Sequence, residues 1–460
     1  MRCFTFKLFA VAMLLVSAMT VSAEKVQTAV DDLKYEIDTE TKEAKLIQGL
    51  YSDIVSVNIP SSITVEGESY SVTELGEGCF SEFPFLNQVI IPNTVRKLEA
   101  YSFFRCPNLV DITISSSVKE LGEGCFAVCP IWNIELPPSL EIIGEQCFSG
   151  CGYLQSIYIP ASVKNIGLAC FAGCSNLYSV IVSNSNTVYD SRNDCNAIIE
   201  TNSNALISGC KSTVIPNTVT SIYHHAFAYI YSLKEIQIPT SITSIGMEAF
   251  KGTGLQTIFI PKSITELSSL SPSFADCQDL ESIIVDEDNP RYCDIDGVLI
   301  DKENNCLMTY PAGKRDKEYT IPNTITSIVN YAFLKNRYLT SITLGESIEY
   351  LGIDVFSGTS IMKLTCLAKQ CPESGGGADL YYNATLYVPK ESIDLYKSTR
   401  PWSYFKSIVD IESTDINHIT NTDDNEIKAV FGVDGKRING MKKGMNIVKM
   451  NDGETRKVIK

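Results

Sequence analysis

The chain is poor in histidine, carries an excess of acidic over basic residues and has no long apolar run after its first residues. Only three histidines occur in 460 residues, and two are the adjacent His224 and His225. No motif supplies the nucleophile and orienting acid that a catalytic base requires, so we expect this pair to face solvent. The net charge of −16 disfavours nucleic acid and anionic membranes as partners, because both bind basic surfaces. No segment beyond residue 23 has the length and hydrophobicity of a transmembrane helix.

The first 23 residues have the pattern of a secretory signal peptide. Arg2 and Lys7 supply positive charge, residues 8–16 form a short apolar core, and small residues end at Ala23. An apolar core of this length is too short to span a bilayer but is typical of export signals. We therefore expect an exported protein, either secreted or associated with the cell surface and outer membrane.

One pattern recurs through most of the chain. In residues 154–174 it reads LQSIYIPASVKNIGLACFAGC, and its phenylalanine returns about every 23 residues. A repeat of this length cannot enclose a core alone, so successive copies must stack and bury one another. The sequence therefore predicts a mainly β solenoid. The repeated phenylalanines are Phe80, Phe103, Phe126, Phe148, Phe171, Phe227, Phe250, Phe274, Phe333 and Phe356.

Each copy of the repeat, here called a rung, divides into two short strands and a closing turn. Ile157 and Ile159 share one face of the first strand by the period-two rule, which leaves Tyr158 facing outward. Val163 and Ile166 form a second inward segment. Phe171 and Cys174 are expected on a short helical turn that closes the rung.

The pattern also divides the chain into regions. Two stretches, 183–214 and 286–320, interrupt the repeat, and each contains two apolar runs around an Asn-rich turn. We interpret both as β-hairpins that leave the stack, each following a tyrosine, Tyr189 or Tyr292. The predicted regions are a signal peptide (1–23), an N-terminal β cap (24–71), the solenoid (72–364), a C-terminal cap (365–412), a linker (413–425) and a C-terminal module (426–460).

The C-terminal module differs from the rest of the chain in charge. Residues 426–460 contain nine Lys/Arg against four Asp/Glu. Apolar positions alternate around turns at Asp434-Gly435 and Asp452-Gly453, which predicts a small antiparallel β module. A basic module behind an acidic body indicates a unit with a separate role.

The repeat resembles a known family. Its Ile-Pro strand end, Ile-Gly step and closing Cys/Ala-Phe-x-x-Cys are similar to the BspA-like leucine-rich repeats of bacterial surface proteins, over residues 34–411. The tail from 429 to 460, with Asp434-Gly435-Lys436-Arg437 and a terminal Lys-Val-Ile-Lys, resembles the sorting domain used in type IX secretion. The resemblance implies a surface-displayed or secreted solenoid, often an adhesin, that meets the secretion machinery through its tail and has no catalytic residues.

The sixteen cysteines and one acidic stretch invite a metal interpretation. Many cysteines are spaced i, i+4, as in Cys170 and Cys174, and form columns across rungs where other rungs hold alanine or valine. We therefore interpret them as small buried core residues, although an oxidising compartment would also allow disulfides between rungs. The acidic residues 286–288 with Asp294 and Asp296 lack the closing glutamate of a calcium loop. We expect no metal, no cofactor and no catalytic residues.

The outward positions of the first strand are the candidate binding site. They combine exposed aromatic residues with small polar neighbours, which suits recognition of a protein or a glycan. The competing explanation is that β surfaces favour aromatic and β-branched residues in any case. The candidate ligand contacts are Trp132, Asn133, Ser156, Tyr158, Tyr178 and Phe259.

Two functional hypotheses follow. The first is a non-catalytic surface protein that adheres to proteins of a host or neighbouring cell along the strand face. The second is a polysaccharide-capture component of a surface nutrient-uptake system. An enzyme would need a polar pocket at one of the insertions.

Overall fold

The computed structural model describes residues 25–268, 272–377 and 379–413, together with 427–431, 437–438, 445–450 and 455–459. The predicted signal peptide and nearly all of the predicted linker lie outside the described residues. Within the described part of the chain, no helix is long and apolar enough to cross a membrane.

The first half of the chain is built from short strands. The N-terminal strands are β1 (Lys25–Val30), β2 (Leu33–Asp38), β3 (Glu43–Gly49), β4 (Ser56–Asn58), β5 (Ser62–Val65) and β6 (Glu68–Leu75). The following rungs contribute β7 (Gln88–Ile90), β8 (Lys97–Leu98), β9 (Asp111–Thr113), β10 (Glu120–Leu121), β11 (Ile142–Ile143), β12 (Ser156–Ile159), β13 (Asn165–Ile166) and β14 (Ser179–Val182).

The second half repeats this arrangement twice. The first insertion and the rungs after it contain β15 (Tyr189–Asp190), β16 (Ile198–Glu200), β17 (Ala205–Ser208), β18 (Ser221–Ile222), β19 (Ser244–Ile245), β20 (Thr257–Ile260), β21 (Glu266–Leu267) and β22 (Ser282–Val285). The second insertion and its rungs contain β23 (Tyr292–Ile295), β24 (Val298–Asp301), β25 (Cys306–Thr309), β26 (Glu318–Thr320), β27 (Ser327–Ile328), β28 (Ser341–Leu344), β29 (Tyr350–Leu351), β30 (Lys363–Cys366) and β31 (Glu373–Ser374).

Among the described residues, α-helix is confined to the end of the solenoid. The last elements are α1 (Asp379–Asn383), β32 (Thr385–Val388), α2 (Ile393–Ser398) and β33 (Ser407–Asp410). The C-terminal residues form β34 (Ile427–Phe431), β35 (Arg437–Ile438), β36 (Met445–Met450) and β37 (Thr455–Ile459), paired antiparallel in the order β35-β34-β36-β37. The mainly β fold predicted from the repeat is therefore confirmed.

Parallel pairing of equivalent strands from successive rungs gives the solenoid two β faces. The first-strand face consists of four sheets, β4-β7-β9, β12-β14, β20-β22 and β26-β28-β30-β32-β33. The short-strand face consists of three sheets, which contain the runs β6-β8-β10-β11-β13, β17-β18-β19-β21 and β25-β27-β29-β31. Inward residues of both faces meet in the core, as Ile157 and Ile166 do.

The repeated phenylalanines form a stack through the core. Phe80, Phe103, Phe126, Phe148 and Phe171 follow one another with ring centroids 5.5 to 5.6 Å apart and nearly parallel planes. Each ring in this run is at most 1% exposed. Stacking at this spacing follows from the ladder, because each ring occupies the same position in its rung.

The closing turns differ from the helical turn that the sequence predicts. In nine of the ten rungs the residues two before and two after the core phenylalanine have positive φ, as in Ala169 (54°) and Gly173 (74°) around Phe171. The exception is Phe274, where Pro272 takes the earlier position. A right-handed helix excludes such residues. The turns are instead held by bonds between rungs, such as Phe103 N–H to the Cys125 carbonyl at 2.9 Å.

The insertions are hairpins, as predicted, but the expectation that they leave the stack is wrong in part. In the first insertion β15, β16 and β17 pair antiparallel, and β17 then pairs in parallel with β18. The second insertion repeats this with β23, β24, β25 and β27. The last strand of each insertion is thus a member of the short-strand face. The last run of each hairpin allows this, because it places a buried leucine, Leu206 or Leu307, in register with the inward isoleucine of the next rung.

The hydrophobic core divides at the first insertion. One cluster of buried residues extends from Leu33 to Cys210, and a second extends from Cys195 to Phe405. In the last rungs Trp402 is buried, and its Nε1 donates to the Pro372 carbonyl at 2.8 Å. β32 and β33 continue the first-strand face in parallel to its end.

Candidate binding face

Tyr158 and Ile181 form an exposed pair on the first-strand face. They lie directly opposite each other in β12 and β14, between inward residues that are buried. Tyr158 is 53% exposed and Ile181 is 51% exposed. Tyr158 faces outward because its neighbours Ile157 and Ile159 fill the core. Ile181 does so because Val180 and Val182 are buried in the same way.

Phe259 and Ile284 repeat this arrangement further along the chain. They are opposite each other in β20 and β22, and each remains about half exposed. The structure does not bring this pair together with the pair around Tyr158. The two lie in separate two-stranded sheets, with the first insertion and two further rungs between them. The first-strand face therefore carries two apolar patches.

The predicted polar contacts lie beside the first patch. Ser156 is half-buried on β12 and opposes Ser179, so it forms part of a column of small side chains. Asn133 is exposed just before Ile134, in a rung whose segment 134–136 belongs to no sheet. Ser156 and Asn133 therefore lie at the edge of the patch, and they do not form a common contact with Tyr158.

Trp132 stacks on a residue that the sequence reasoning missed. Its ring lies 5.8 Å from that of Tyr153, with the planes 10° apart, and both side chains are more than half exposed. The backbone aligns these rungs, since the Gln155 N–H donates to the Trp132 carbonyl at 3.2 Å. Tyr153 directly precedes the repeat's Leu154, and an aromatic residue at that variable position was the available signal.

Tyr178 occupies the position of Trp132 two rungs later. Its backbone N–H donates to the Gln155 carbonyl at 3.0 Å, so the three residues belong to one column. The Lys211 ammonium lies 5.9 Å from the tyrosine ring centroid, within the range of a cation–π contact. Tyr178 is half exposed.

The cysteine columns lie in the core, away from this face. Five thiols donate to the carbonyl oxygen of the phenylalanine in the preceding rung, at 3.0 to 3.2 Å; they belong to Cys106, Cys129, Cys151, Cys174 and Cys277. Burial raises the pKa of the Cys277 thiol to about 11 and that of Cys151 to about 12. The described cysteines form no disulfide. These thiols are structural donors as well as space-filling groups.

Asn336 is a different kind of donor at this position. It lies three residues after Phe333, where other rungs have cysteine, and its Nδ2 donates to the Pro311, Ala312 and Lys314 carbonyls. The side chain is fully buried. A polar donor at this point satisfies carbonyls of the neighbouring rung that would otherwise be buried without a partner.

The histidine pair differs from the solvent-facing prediction. Both rings are half-buried, and His224 Nδ1 accepts the Met247 N–H at 2.8 Å. His225 Nδ1 lies 3.5 Å from a Glu248 carboxylate oxygen. Burial lowers the pKa of the His225 imidazole. Both rings bind elements of the next rung, because the closing turn points them along the stack.

The acidic stretch at 286–288 binds its own backbone and a nearby lysine. Asp286 accepts the Asp288 N–H at 3.0 Å, Asp288 pairs with Lys262, and Asp294 accepts the Val285 N–H. In the described residues, no three His, Cys, Asp or Glu side chains converge as metal ligands would. The carboxylates shape the turn that leads into the second insertion.

The repeat matches a known protein family. The model described as the BspA type leucine-rich repeat region matches residues 73–195, 198–292 and 313–374, in six copies. These stretches cover more than half of the chain. No curated protein matches the chain.

Similar solved structures come from several bacteria. A leucine-rich repeat protein from Eubacterium ventriosum is 20% identical with a TM-score of 0.53, covering 74% of this chain and 96% of its own. A leucine rich cell surface protein from Faecalibacterium prausnitzii is 21% identical, with coverages of 85% and 96% and a TM-score of 0.42. A leucine-rich repeat protein from Bacteroides ovatus is 21% identical, with coverages of 74% and 94% and a TM-score of 0.43. At these identities the likeness concerns the fold alone, and the E. ventriosum structure carries it.

Proposed function

Since the chain belongs to the BspA-type leucine-rich repeat family, we propose that it is a non-catalytic protein that binds another macromolecule through its first-strand face. The ligand is a protein of a host or neighbouring cell, and the activity is adhesion. The sequence-based expectation of no catalytic residue, metal or cofactor remains part of this proposal.

The observation that carries the proposal is the pair of apolar patches at Tyr158–Ile181 and Phe259–Ile284. Each places two large side chains side by side on a parallel sheet, with each side chain about half exposed. Ordered aromatic residues bury much area at little entropic cost, which is why they dominate binding hot spots. Small polar neighbours such as Ser156 leave these rings accessible.

The direct test is capture of immobilised ligands by the full-length protein. A panel of host matrix proteins and a panel of polysaccharides are probed side by side. Saturable binding to a protein, reduced by replacing Tyr158 and Phe259 with alanine, supports the proposal. Binding that is confined to polysaccharides contradicts it.

Export and surface display form a second part of the proposal. The support is the signal-like N-terminus and the tail, whose described strands β34 to β37 form an antiparallel sheet. We propose that the tail delivers the chain through type IX secretion. Fractionation of cells that express the chain with and without residues 426–460 tests this role. Retention of the truncated chain inside the cell supports it, and unchanged surface delivery contradicts it.

A polysaccharide ligand is the second candidate, and the Trp132–Tyr153 stack favours it. Two exposed rings stacked in nearly parallel planes offer aromatic surface against which a sugar ring can pack. If the protein captures glycans, Trp132→Ala weakens binding to the polysaccharide panel. The Tyr350→Ala variant, which removes an exposed ring from the short-strand face, is the control and leaves binding unchanged.

A further inference from the structure

The first-strand face is open at residues 134–136 and again across residues 213–238, whereas the short-strand face stays closed at both places. The second opening is the wider of the two in sequence. On the short-strand side, β17, β18 and β19 pair in parallel without interruption, as in Leu206, Ile222 and Ile245. The same rungs place residues 213–216 and 235–238 on the other face, and neither segment belongs to a sheet. The rungs are therefore joined along one face and separated along the other.

Several backbone N–H and C=O groups in these two segments have no backbone hydrogen-bond partner in the described part of the chain. Among the described residues, no backbone–backbone hydrogen bond joins 213–216 to 235–238, and none involves Glu235, Ile236 or Gln237. Val214 donates away from the opening, to the Cys195 carbonyl at 3.1 Å. Unpaired N–H and C=O groups in extended backbone form a template on which another strand can add.

Between the segments lies a cleft of about 710 Å³, which is within the size range of ligand sites. It is lined by both segments and by Asn193 of the first insertion. Its polar side chains include the amides of Asn217 and Gln237, and Ile236 supplies an apolar wall. No aromatic ring lines the cleft, so it lacks the stacking surface that a sugar would use.

The lining of the cleft contains one charged side chain, the carboxylate of Glu235. Glu235 is exposed, forms no ion pair with any described residue and is the only charged side chain of the lining. The chain as a whole is strongly acidic. An unpaired carboxylate on an acidic surface is complementary to a basic side chain, which it also attracts over distance.

We propose that this cleft binds an extended polypeptide segment of the partner. The segment adds as a strand to the unpaired backbone of residues 235–238 and places a lysine or arginine side chain beside Glu235. Strand addition gives affinity through main-chain hydrogen bonds and selectivity through alternate side chains. The inference rests on the proposed function in one respect, because it takes the partner to be a protein.

The test is selection of random twelve-residue peptides on the full-length protein, followed by affinity measurement of the enriched peptides. We expect enriched sequences that contain Lys or Arg, and we expect Glu235→Lys to weaken their binding by about tenfold or more. Glu373→Lys, the same charge change at an exposed position of the short-strand face, is the matched control and stays within about twofold. Peptides with alternate N-methylated amides lose about tenfold or more, because they cannot form the strand.

The outcomes separate this inference from the proposed function. If no peptide is enriched, or if both Glu235→Lys and N-methylation leave affinity unchanged, the cleft is not a peptide site. In that case protein capture that depends on Tyr158 and Phe259 still supports the proposed function. If only polysaccharides bind, both proposals fail.

Discussion

The hydroxyl oxygen of Tyr292 accepts the backbone N–H of Leu267 at 2.9 Å. Tyr189 makes the same bond to Ile166 at 3.1 Å. Leu267 and Ile166 are the last residues of short-strand runs that end just before an insertion. In each case the phenol replaces the missing next strand, so the ladder ends without an unpaired buried donor.

An asparagine three residues before each tyrosine completes this arrangement. Asn289 donates to the Pro261 and Ile264 carbonyls and accepts the N–H groups of Arg291 and Tyr292, at 2.8 to 3.0 Å. Asn186 makes the corresponding four bonds before Tyr189. The two insertions therefore start with one shared Asn-x-x-Tyr motif that ties them to the preceding rung.

Removing the Tyr292 hydroxyl should destabilise the solenoid. We expect Tyr292→Phe to lower the free energy of unfolding by about 1–3 kcal/mol, because the buried Leu267 N–H loses its acceptor. Tyr153→Phe removes an exposed hydroxyl and is the control. Urea denaturation of the two variants measures the difference. Equal unfolding midpoints would show that the phenol does not terminate the ladder.

Val128 is predicted to be a site at which glycine stabilises. Its φ of 62° is unfavourable for a β-branched residue, and the equivalent positions in the next two rungs are Gly150 and Gly173. We expect Val128→Gly to raise the free energy of unfolding by about 1 kcal/mol, since it relieves this backbone strain. Val110→Gly, at an exposed valine without positive φ, should give no gain. A loss of stability in Val128→Gly would contradict the assignment of strain.

The buried thiols predict a loss of stability at alkaline pH. Burial raises the pKa of Cys277 from its ordinary 9.0 to about 11, so the unfolded chain loses this proton first as the pH rises. The contribution is complete below about pH 9 and is lost as the pH rises through about 11. Urea midpoints at about pH 8 and about pH 10.5 should fall less in Cys277→Ala than in the unmodified chain.

Thr253→Val is the control for this pH dependence. Its hydroxyl lies 3.4 Å from the Cys277 sulfur, so the substitution disturbs the same place but keeps the titrating thiol. We expect it to retain the full fall in the midpoint between the two pH values. An identical fall in Cys277→Ala would show that this thiol does not contribute.

The stack of core phenylalanines was predictable because its period is long and regular. The sequence reasoning nevertheless missed one aromatic ring of this stack. Tyr310 stacks on Phe333 at 4.9 Å and occupies the place of the repeated phenylalanine in the second insertion. It lies 23 residues before Phe333, which is the period of the repeat. In the first insertion the place belongs to Gly209, where the Phe227 ring leaves no room for a side chain.

The closing turns and the cleft depend on contacts that local patterns do not encode. Gln146 adopts positive φ with its N–H donating to the Leu168 carbonyl of the next rung at 2.9 Å, and its residue type does not signal that conformation. Residues 235–238 have the same alternation of side chains as β12, yet they form no strand. Strand formation on this face requires a neighbouring rung within hydrogen-bonding distance, which is a property of the stack.

The outward positions of the candidate face followed directly from alternation, whereas the stack of Trp132 on Tyr153 did not. Tyr158 and Phe259 are exposed because their strands have buried residues on both sides. The position of Tyr153 depends on a rung that is one residue shorter than its neighbours, where the phenylalanine spacing falls to 22. That difference changes which side chains meet across the two rungs.

The most direct test of the binding face is the affinity of the full-length protein for its captured protein ligand, measured for two double variants. Tyr158→Ala with Phe259→Ala removes the central ring of each patch. Tyr223→Ala with Tyr350→Ala removes two rings of similar exposure associated with the short-strand face. We predict that the first variant loses about tenfold or more in affinity and that the second stays within about twofold. Equal affinities for the two variants would contradict binding through the first-strand face.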